Sequence, residues 1–574
     1  MKQIQFINKK GRSKLILVCT ASLVLLIYPS CKKQLDVKNP NSPTFQVNVK
    51  DEGGLTSYAK GVIYWNGFNY GDVWLGDSYF SLPQGYHELM GDLVGGGQGS
   101  NNQMTTMGVP DHFLADPSDQ TTLFTNPAPQ AKGIIRTFNN PASTAQGNNA
   151  LYYEWTNMYA MIKGCNLTLD LVDGIPLSVD KANTMKAWAY WWKGYAYAEI
   201  GTLYYAGLIV EQANSVANEV VNKFVKQSDI VAESNKNLNL AMTTLKAITN
   251  QGDYDAIVKQ LIPAQNQAGL GKPLSSTQWI RTINTMLARN ILLNHLSPFV
   301  NGNASATISK STITPMSASD WQSVLAFCNN GIQQGDFVFT GRTSATNSFF
   351  TADGGSVAGI ISASNQTTTL KLGERLVQQF KAGDKRLGNF TTASGTFYGD
   401  ANTNSTRYSL VDAVTAGLTG FTTLGTRAVG KLELYIGPTY EENQLMIAEA
   451  KMRTGDINGG LTIIDNVRDF QGAGVAHVGG TGLTLSDALK ELTMERLGGL
   501  AFRGLSYFDL RRWGWTYAIA NGGGRYGCTI LFKGNVYTNA TFDYNFMDYW
   551  DVPGDETAKN PPSSDSAPVM NVNY

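Results

Sequence analysis

The chain is organised around Glu491-Leu-Thr-Met-Glu-Arg-Leu-Gly-Gly-Leu-Ala-Phe-Arg-Gly-Leu-Ser-Tyr-Phe-Asp-Leu-Arg-Arg-Trp-Gly514, where acids, arginines and aromatic residues recur at helical spacing. An apolar stripe precedes this stretch, and Thr484 with Asp487 has the pattern of a capping box, so a helix is predicted to begin there. Glycines inside the stretch end that helix. A second helix is predicted to begin with Asp509-Leu-Arg-Arg-Trp513.

The charges of this stretch predict ion pairs between the two helices. Arg511 and Arg512 can each offer a planar guanidinium to nearby carboxylates such as Glu491 and Glu495. A structural network that docks the helices is favoured over a catalytic role, because paired charges also occur in purely structural networks.

Further segments share their order and content with one protein family. Tyr440 to Asp456 has the pattern of a helix preceding the stretch, and Val467-Arg468 follows it. Trp550 to Pro561 closes the chain with a proline, an acid and an Asn-Pro pair, and Cys31-Lys-Lys-Gln-Leu-Asp36 follows an apolar leader. Together with Glu491–Gly514, these segments resemble the SusD/RagB-like outer-membrane lipoproteins of Bacteroidetes-type bacteria.

The resemblance implies both a fold and a role. The fold is mainly α-helical, a tetratricopeptide-like helical-repeat scaffold with an irregular, loop-rich face and short strands. The role is non-catalytic: a lipid-anchored protein on the outside of the outer membrane binds an oligosaccharide or polysaccharide and delivers it to a SusC-like, TonB-dependent transporter. Because the family resemblance also extends to peptide importers, a peptide ligand is an alternative.

The first thirty residues have the pattern of a lipoprotein signal peptide. Basic residues precede an apolar run from Leu15 to Tyr28, which is too short to span a bilayer comfortably. Pro29-Ser30-Cys31 follows, so Cys31 is predicted to be the lipidated first residue of the mature protein. Tyr28 stands where a leucine is usual at such sites. An ordinary secretory cut that leaves Cys31 incidental is the alternative.

Composition divides the rest of the chain. The Asn-, Pro- and Ser-rich residues after Cys31 are typical of an extended tether. The predicted parts are a signal peptide (1–30), a tether (31–51), and a body (52–574) made of an N-terminal part with helical repeats (52–299), an irregular insert with small strands (300–430) and the C-terminal signature region (431–574).

Helical periodicity predicts the main elements of the body. Residues 184–205 are apolar nearly all round, so this helix must be buried between neighbours. Capping boxes are predicted at Ser275 with Gln278 and at Ser319 with Gln322. Helices are predicted at 151–166, 184–205, 230–249, 277–296, 320–332 and from Tyr440, the last capped by Thr439.

Composition gives no support to a nucleic-acid-binding role. The 45 basic and 45 acidic residues cancel, and charged residues make up only 16%, so a basic footprint is lacking. Five cysteines are too few for a disulfide framework. Cys165, Cys328 and Cys528 are interpreted as small buried apolar residues, and their pairing is left open.

We find fragments of catalytic motifs but no assembled one. His87-Glu88 lacks the second histidine that zinc-protease geometry requires, and Gly522–Gly527 fits GxGxxG but precedes a strand-like run, so it is predicted to be a turn. The four scattered histidines predict no metal site, and no cofactor is expected. A glycoside hydrolase acting through an acid pair stays an alternative, because the separation of two carboxylates is a property of the fold.

Aromatic residues between Tyr58 and Tyr86, followed by an amide-rich loop, predict a glycan-binding platform. Sugar rings pack their C–H faces on Trp and Tyr, while their hydroxyls pair with amides and carboxylates. Taken singly, each ring is more often a core residue, which is the competing interpretation. The predicted ligand contacts are Trp74, Tyr79, Tyr86, Asp92, Asn101 and Asn102.

Overall fold

The structure is a computed structural model, which describes residues 49–64, 83–96, 107–115, 122–125, 136, 139, 149–211, 221–296, 315–342, 370–392, 407–410, 433–533 and 535–572. The chain divides into two units, Met1–Gly54 and Leu55–Tyr574, and the first unit is described only from residue 49. The predicted leader, Cys31 and most of the predicted tether therefore lie outside the described residues. The predicted domain boundaries stay predictions.

Helices dominate the described chain, which confirms the predicted mainly α fold. None of the described helices is long and apolar enough to cross a membrane. In chain order the helices are α1 Glu52–Tyr64, α2 Pro83–Met90, α3 Tyr152–Val172, α4 Val179–Leu203, α5 Gln227–Lys246, α6 Gln251–Leu261, α7 Ser276–Leu293, α8 Ala318–Asn329, α9 Glu374–Val377, α10 Tyr440–Arg453, α11 Ile457–Phe470, α12 Leu485–Met494, α13 Ser506–Arg512 and α14 Gly554–Lys559.

The described strands pair antiparallel. They are β1 Val94–Gly96, β2 His112–Leu114, β3 Thr122–Thr125, β4 Ala206–Leu208, β5 Phe224–Lys226, β6 Thr340–Arg342, β7 Leu370–Leu372, β8 Phe390–Thr392, β9 Tyr408–Leu410, β10 Glu433–Tyr435, β11 Arg525–Phe532 and β12 Asn535–Asp543. One sheet has four strands in the order β11-β12-β2-β3, and the others pair β1 with β7, β4 with β5, β6 with β10 and β8 with β9.

Helix α4 lies at the centre of the helical scaffold. It packs against α3 on the preceding side of the chain and against α5 on the following side. Its side chains are buried almost all round, as the apolar pattern predicted, and they include Trp188, Trp191 and Trp192. The consecutive helices α10 and α11 also pack against each other.

An aromatic cluster around Phe339 holds α4 and α7 together. The Phe339 ring lies 5.1–5.9 Å from the ring centroids of Trp188, Trp191, Trp192 and Trp279. All five side chains are buried. Such aromatic pairs each contribute about 0.5–1.5 kcal/mol beyond the burial of their area. The cluster therefore fixes the insert residues near Phe339 to the scaffold.

Side-chain caps set several helix starts. Ser275 and Gln278 form the predicted capping box of α7, with both hydrogen bonds present. The box predicted at Ser319 with Gln322 is wrong, because the actual box of α8 is formed by Ser317 and Asp320, two residues earlier. A serine with a polar residue three positions later occurs at both places, so the pattern alone could not choose between them.

The stretch Glu491–Gly514, called the signature stretch below, takes part in two helices with a distorted turn between them. Thr484 accepts a hydrogen bond from the backbone N–H of Asp487 at the start of α12, as predicted. Helix α12 runs on into a π-helical turn at Glu495–Gly499. The second helix, α13, begins at Ser506, three residues before the predicted start. At Gly504 the backbone has φ of +70°, a conformation that favours glycine.

The segment that begins at Trp550 is buried at its start. Trp550, Asp551 and Val552 are buried, and the Trp550 backbone N–H donates to the Leu203 carbonyl at the end of α4. Only the residues beyond Val552 are largely exposed or half-buried. Proline and aspartate are mostly exposed residue types, which fits these positions, whereas the preceding Trp550 belongs to the core.

Candidate functional site

The predicted site residues fall into two groups. Trp74, Tyr79, Asn101 and Asn102 lie outside the described residues, so their role as ligand contacts stays a prediction. Tyr86 and Asp92 are described, and both are buried.

Tyr86 is a core residue of the contact between α2 and the closing segment of the chain. Its side chain is 0% exposed, and its ring packs edge-on against Trp550 with centroids 6.5 Å apart. Burial raises the pKa of its hydroxyl well above the ordinary value. Tyr86 offers no ring face to a ligand in this structure, so the assignment as a ligand contact is corrected to a core role.

Asp92 anchors two arginines. Its carboxylate accepts hydrogen bonds from Arg375 Nε at 2.8 Å and Nη2 at 2.6 Å, from Arg525 Nη1 at 3.2 Å and from the Tyr544 hydroxyl at 2.7 Å. The residue is 2% exposed. Four donors satisfy a buried carboxylate, and no oxygen faces solvent for a sugar hydroxyl. The sequence-based ligand role of Asp92 is therefore corrected to a structural one.

The charges of the signature stretch form a buried network, as the favoured interpretation predicted, but with other partners. Glu495 accepts from Arg386 Nη1 at 2.9 Å and from Arg468 Nε at 2.7 Å. Glu491 accepts from Lys381 at 2.7 Å and also from Arg468. The predicted pairing of these two acids with Arg511 and Arg512 is wrong.

Arg512 pairs instead with acids of α10 and of its own helix. Its Nη1 and Nη2 atoms donate to the Glu449 carboxylate at 2.8 and 2.7 Å, and its Nε donates to Asp509 at 2.7 Å. All three side chains are 0% exposed. The fork geometry of this buried pair docks α13 on α10.

Arg511 binds backbone carbonyls at the ends of two helices. Its Nη1 donates to the Thr202 carbonyl at 2.6 Å and to Asp548 at 3.0 Å, and its Nη2 donates to the Leu293 carbonyl at 2.7 Å. Thr202 and Leu293 belong to the last turns of α4 and α7, where carbonyls lack intrahelical partners and a cation is favoured. The signature stretch thus fixes these two helix ends relative to each other.

An open cleft of about 470 Å³ lies beside these helix ends. This volume falls within the usual range of small-molecule sites. Tyr205 lies two residues after the end of α4, and Asn294 and His295 directly follow α7. Tyr549 lies between these residues and Arg511. The Arg511 guanidinium stacks over the Tyr549 ring, 4.4 Å from its centroid. The lining residues are Tyr205, Lys226, Gln227, Ser228, Asn294, His295, Tyr549, Ala567, Pro568 and Val572.

The wall of the cleft is held by backbone hydrogen bonds. The Tyr205 N–H donates to the Trp550 carbonyl at 2.8 Å, and the Tyr205 carbonyl accepts from the Gln227 N–H at 3.3 Å. Tyr549 donates from its hydroxyl to Asn294 Oδ1 at 3.3 Å. These hydrogen bonds within the protein fix the wall of the cleft, and a fixed wall lowers the entropic cost of binding.

Another, smaller cavity lies between α2, α4 and α7, and it is too small for a sugar. Its volume is about 30 Å³, and His87, Glu199 and Arg289 line it. Burial lowers the pKa of His87, but Glu154 Oε2 at 3.0 Å from Nε2 outweighs burial and raises it. Burial raises the pKa of Glu199, and Glu154 adds to that rise. This space suits water molecules among buried polar groups.

Glu88, the neighbour of His87 on α2, has a structural role. Glu88 accepts from the Gly504 N–H at 2.7 Å and from the Ser506 hydroxyl at 3.0 Å, and burial raises its pKa to about 7. These bonds dock α2 on the signature stretch. Within the described ranges, no group of three or more histidines, cysteines or acids could hold a metal ion. The cysteines Cys165, Cys328 and Cys528 are unpaired and buried, as interpreted from the sequence.

Comparison with known proteins supports the predicted resemblance. The sequence profile of the SusD family matches residues 440–570. A search of curated proteins finds no match.

Solved structures share the fold over most of the chain. A SusD-like carbohydrate-binding protein from Bacteroides vulgatus has a TM-score of 0.50 at 12% identity, covering 92% of this chain and 94% of that one. A SusD-like protein from Bacteroides fragilis has a TM-score of 0.52 at 12% identity, covering 93% and 100%. A structure solved with a xylogluco-oligosaccharide has a TM-score of 0.50 at 13% identity, covering 90% and 99%. The resemblance to the SusD/RagB-like family is confirmed, by profile at the C-terminal region and by fold elsewhere.

Proposed function

We propose that this chain, with a SusD-family C-terminal region and the fold of SusD-like proteins, binds an oligosaccharide or polysaccharide without cutting it. The observation that supports this most is the profile match at residues 440–570. Two of the similar structures add to it, since one is described as carbohydrate-binding and one was solved with a xylogluco-oligosaccharide.

The described acids argue against the hydrolase alternative. Glycoside hydrolysis needs two carboxylates on either side of a bound sugar. Glu199 lines a cavity of only about 30 Å³. Four other acids are buried and accept hydrogen bonds from protein groups, namely Glu88, Asp92, Glu449 and Glu495. The open cleft, in contrast, has room for a ligand, and none of its described lining residues carries a carboxylate.

Two surfaces are proposed as glycan contacts. The first is the open cleft, which combines the partly exposed Tyr205 ring with hydroxyl and amide groups. The second is the ring-rich stretch with Trp74, Tyr79, Asn101 and Asn102, proposed from its composition. Stacking on aromatic rings and hydrogen bonds to amides are the contacts that sugars favour.

Replacing Trp74 with alanine is expected to weaken glycan binding by about 1–3 kcal/mol, the rough contribution of a buried ring contact. Retardation in native gels that contain a panel of polysaccharides measures this loss of glycan affinity. Calorimetry with peptides tests separately whether the protein binds a peptide. Tyr526→Ala is the matched control, because Tyr526 is an aromatic residue 40% exposed on β11. Unchanged affinity in folded Trp74→Ala and Tyr79→Ala variants removes this stretch and leaves the cleft as the site.

The lipid anchor is proposed from the apolar leader and Cys31. A lipoprotein carries several acyl chains on its first residue, which bind a membrane far more firmly than one chain. Radiolabelled palmitate is expected to label the wild-type protein and not Cys31→Ala. Equal labelling of the two would overturn the anchor, and protease treatment of whole cells tests whether the protein faces outward.

A SusC-like, TonB-dependent outer-membrane transporter is the proposed partner. The family resemblance supports this partner, and stacked helices such as α3, α4 and α5 provide extended surfaces for docking. Affinity purification from detergent-solubilised outer membranes is expected to recover a large transporter. Recovery of this protein alone would count against the partner.

A further inference from the structure

The open cleft carries a one-sided charge. Lys226 is exposed at the end of β5, next to the start of α5, and it forms no ion pair with any described residue. None of the ten lining residues that the structure describes is Asp or Glu. An ammonium group at the edge of a site without acids attracts negatively charged ligands.

Several polar groups of the cleft have no protein partner among the described residues. The side chains of Ser228 and Tyr205 make no hydrogen bond there. Gln227 Oε1 and His295 Nδ1 are buried and also lack a partner in this part of the chain. Polar atoms in such positions are normally satisfied by water or by a ligand. Asn294 differs, because its amide is already bonded to Tyr549, Thr202 and Asn290.

We propose that this cleft binds a negatively charged sugar residue, a uronate. Its carboxylate pairs with Lys226, its hydroxyls exchange hydrogen bonds with Ser228 and Tyr205, and its ring lies against the Tyr205 side chain. The inference rests on the proposed function, since it names the ligand class within glycan binding. An acidic peptide carries the same carboxylate but not the hydroxyls, so it is the competing ligand in the test.

The probes are oligogalacturonate and its fully methyl-esterified form, which share one backbone and differ in charge. The mature protein, purified in non-ionic detergent, is expected to bind the acidic form more tightly, and added salt is expected to reduce the difference. Lys226→Gln is expected to weaken binding of the acidic form about threefold to fivefold, as for a partly exposed ion pair, and to leave the ester unchanged. Lys246→Gln is the control, an exposed lysine at the far end of α5.

The outcomes separate this inference from the proposed function. Equal affinity for acid and ester, an unaffected Lys226→Gln variant, or binding of neutral glycans only would overturn the uronate site and leave glycan binding intact. Tighter binding of a poly-glutamate peptide than of oligogalacturonate would also overturn it. If no glycan of any kind binds, the proposed function fails, and the uronate site fails with it.

Discussion

Replacing Arg511 with methionine is expected to lower the free energy of unfolding by about 3–5 kcal/mol, because three carbonyls lose a charged donor in a buried setting. The Arg511 side chain is 0% exposed, and it donates to Thr202, Leu293 and Asp548. Methionine fills a similar space but donates no hydrogen bond. The ends of α4 and α7 would then keep the hydrogen bond from the Asn294 amide to the Thr202 hydroxyl but lose the charged donor that joins their carbonyls.

Urea unfolding followed by tryptophan fluorescence measures this change. Lys490→Met is the control next to the same stretch, because Lys490 is 58% exposed and its surface pair with Asp487 is expected to contribute little to stability. Arg511→Lys is expected to be nearly as unstable as Arg511→Met, since one ammonium cannot reproduce the planar fork. Wild-type stability in the Arg511 variants would show that the stretch does not hold these helix ends.

Arg511 also connects the signature stretch to the cleft. Tyr205, Asn294 and Tyr549 occupy their places because Arg511 binds the adjoining helix ends and stacks on the Tyr549 ring. A family signature in this chain therefore acts on the candidate site through the scaffold and not through contact with ligand.

Replacing Asp92 with asparagine is expected to destabilise the fold by about 3–5 kcal/mol, because it removes the carboxylate charge that pairs with two buried guanidiniums. Arg375 and Arg525 have side chains 0% and 4% exposed. Asparagine keeps the size of the side chain and one acceptor oxygen, so the loss reports charge and not a cavity.

Thermal unfolding followed by circular dichroism, together with glycan affinity, separates the two roles assigned to Asp92. Asp170→Asn is the control, an exposed acid on α3 that is expected to unfold like the wild type. A less stable Asp92→Asn variant that binds glycan normally when folded supports the structural role. A variant of wild-type stability with weaker binding would restore the original prediction of a ligand contact.

Local patterns predicted the helices well. The all-round apolar pattern of residues 184–205 led to the buried α4, and the box at Ser275 with Gln278 set the start of α7. These features depend on neighbours within one or two turns, so a single sequence contains them. The predicted start of α8 was wrong because two overlapping serine patterns satisfy the same local rule.

Long-range pairing could not be predicted in the same way. Arg386 and Glu495 are 109 positions apart, and Asp92 lies 283 positions from Arg375 and 433 from Arg525. Helical spacing fixes which face a charge occupies but not which distant helix meets that face. The acids Glu491 and Glu495 therefore had plausible partners in sequence and different ones in space.

The cleft also escaped sequence analysis, because its lining comes from five separate segments and no motif joins them. The one available signal was Tyr205, an aromatic residue at the end of the helix predicted over 184–205. The ring-rich stretch between Tyr58 and Tyr86 was predicted to bind the glycan instead, and Tyr86 is a core residue.

The measurement that tests the central claim most directly is calorimetry of the mature protein against polysaccharides, oligosaccharides and peptides, with chromatography of each mixture afterwards. We predict saturable heat with at least one glycan, recovery of that glycan at its original length, and no heat with the peptides. Heat only with peptides, or newly released reducing ends, would contradict non-catalytic glycan capture.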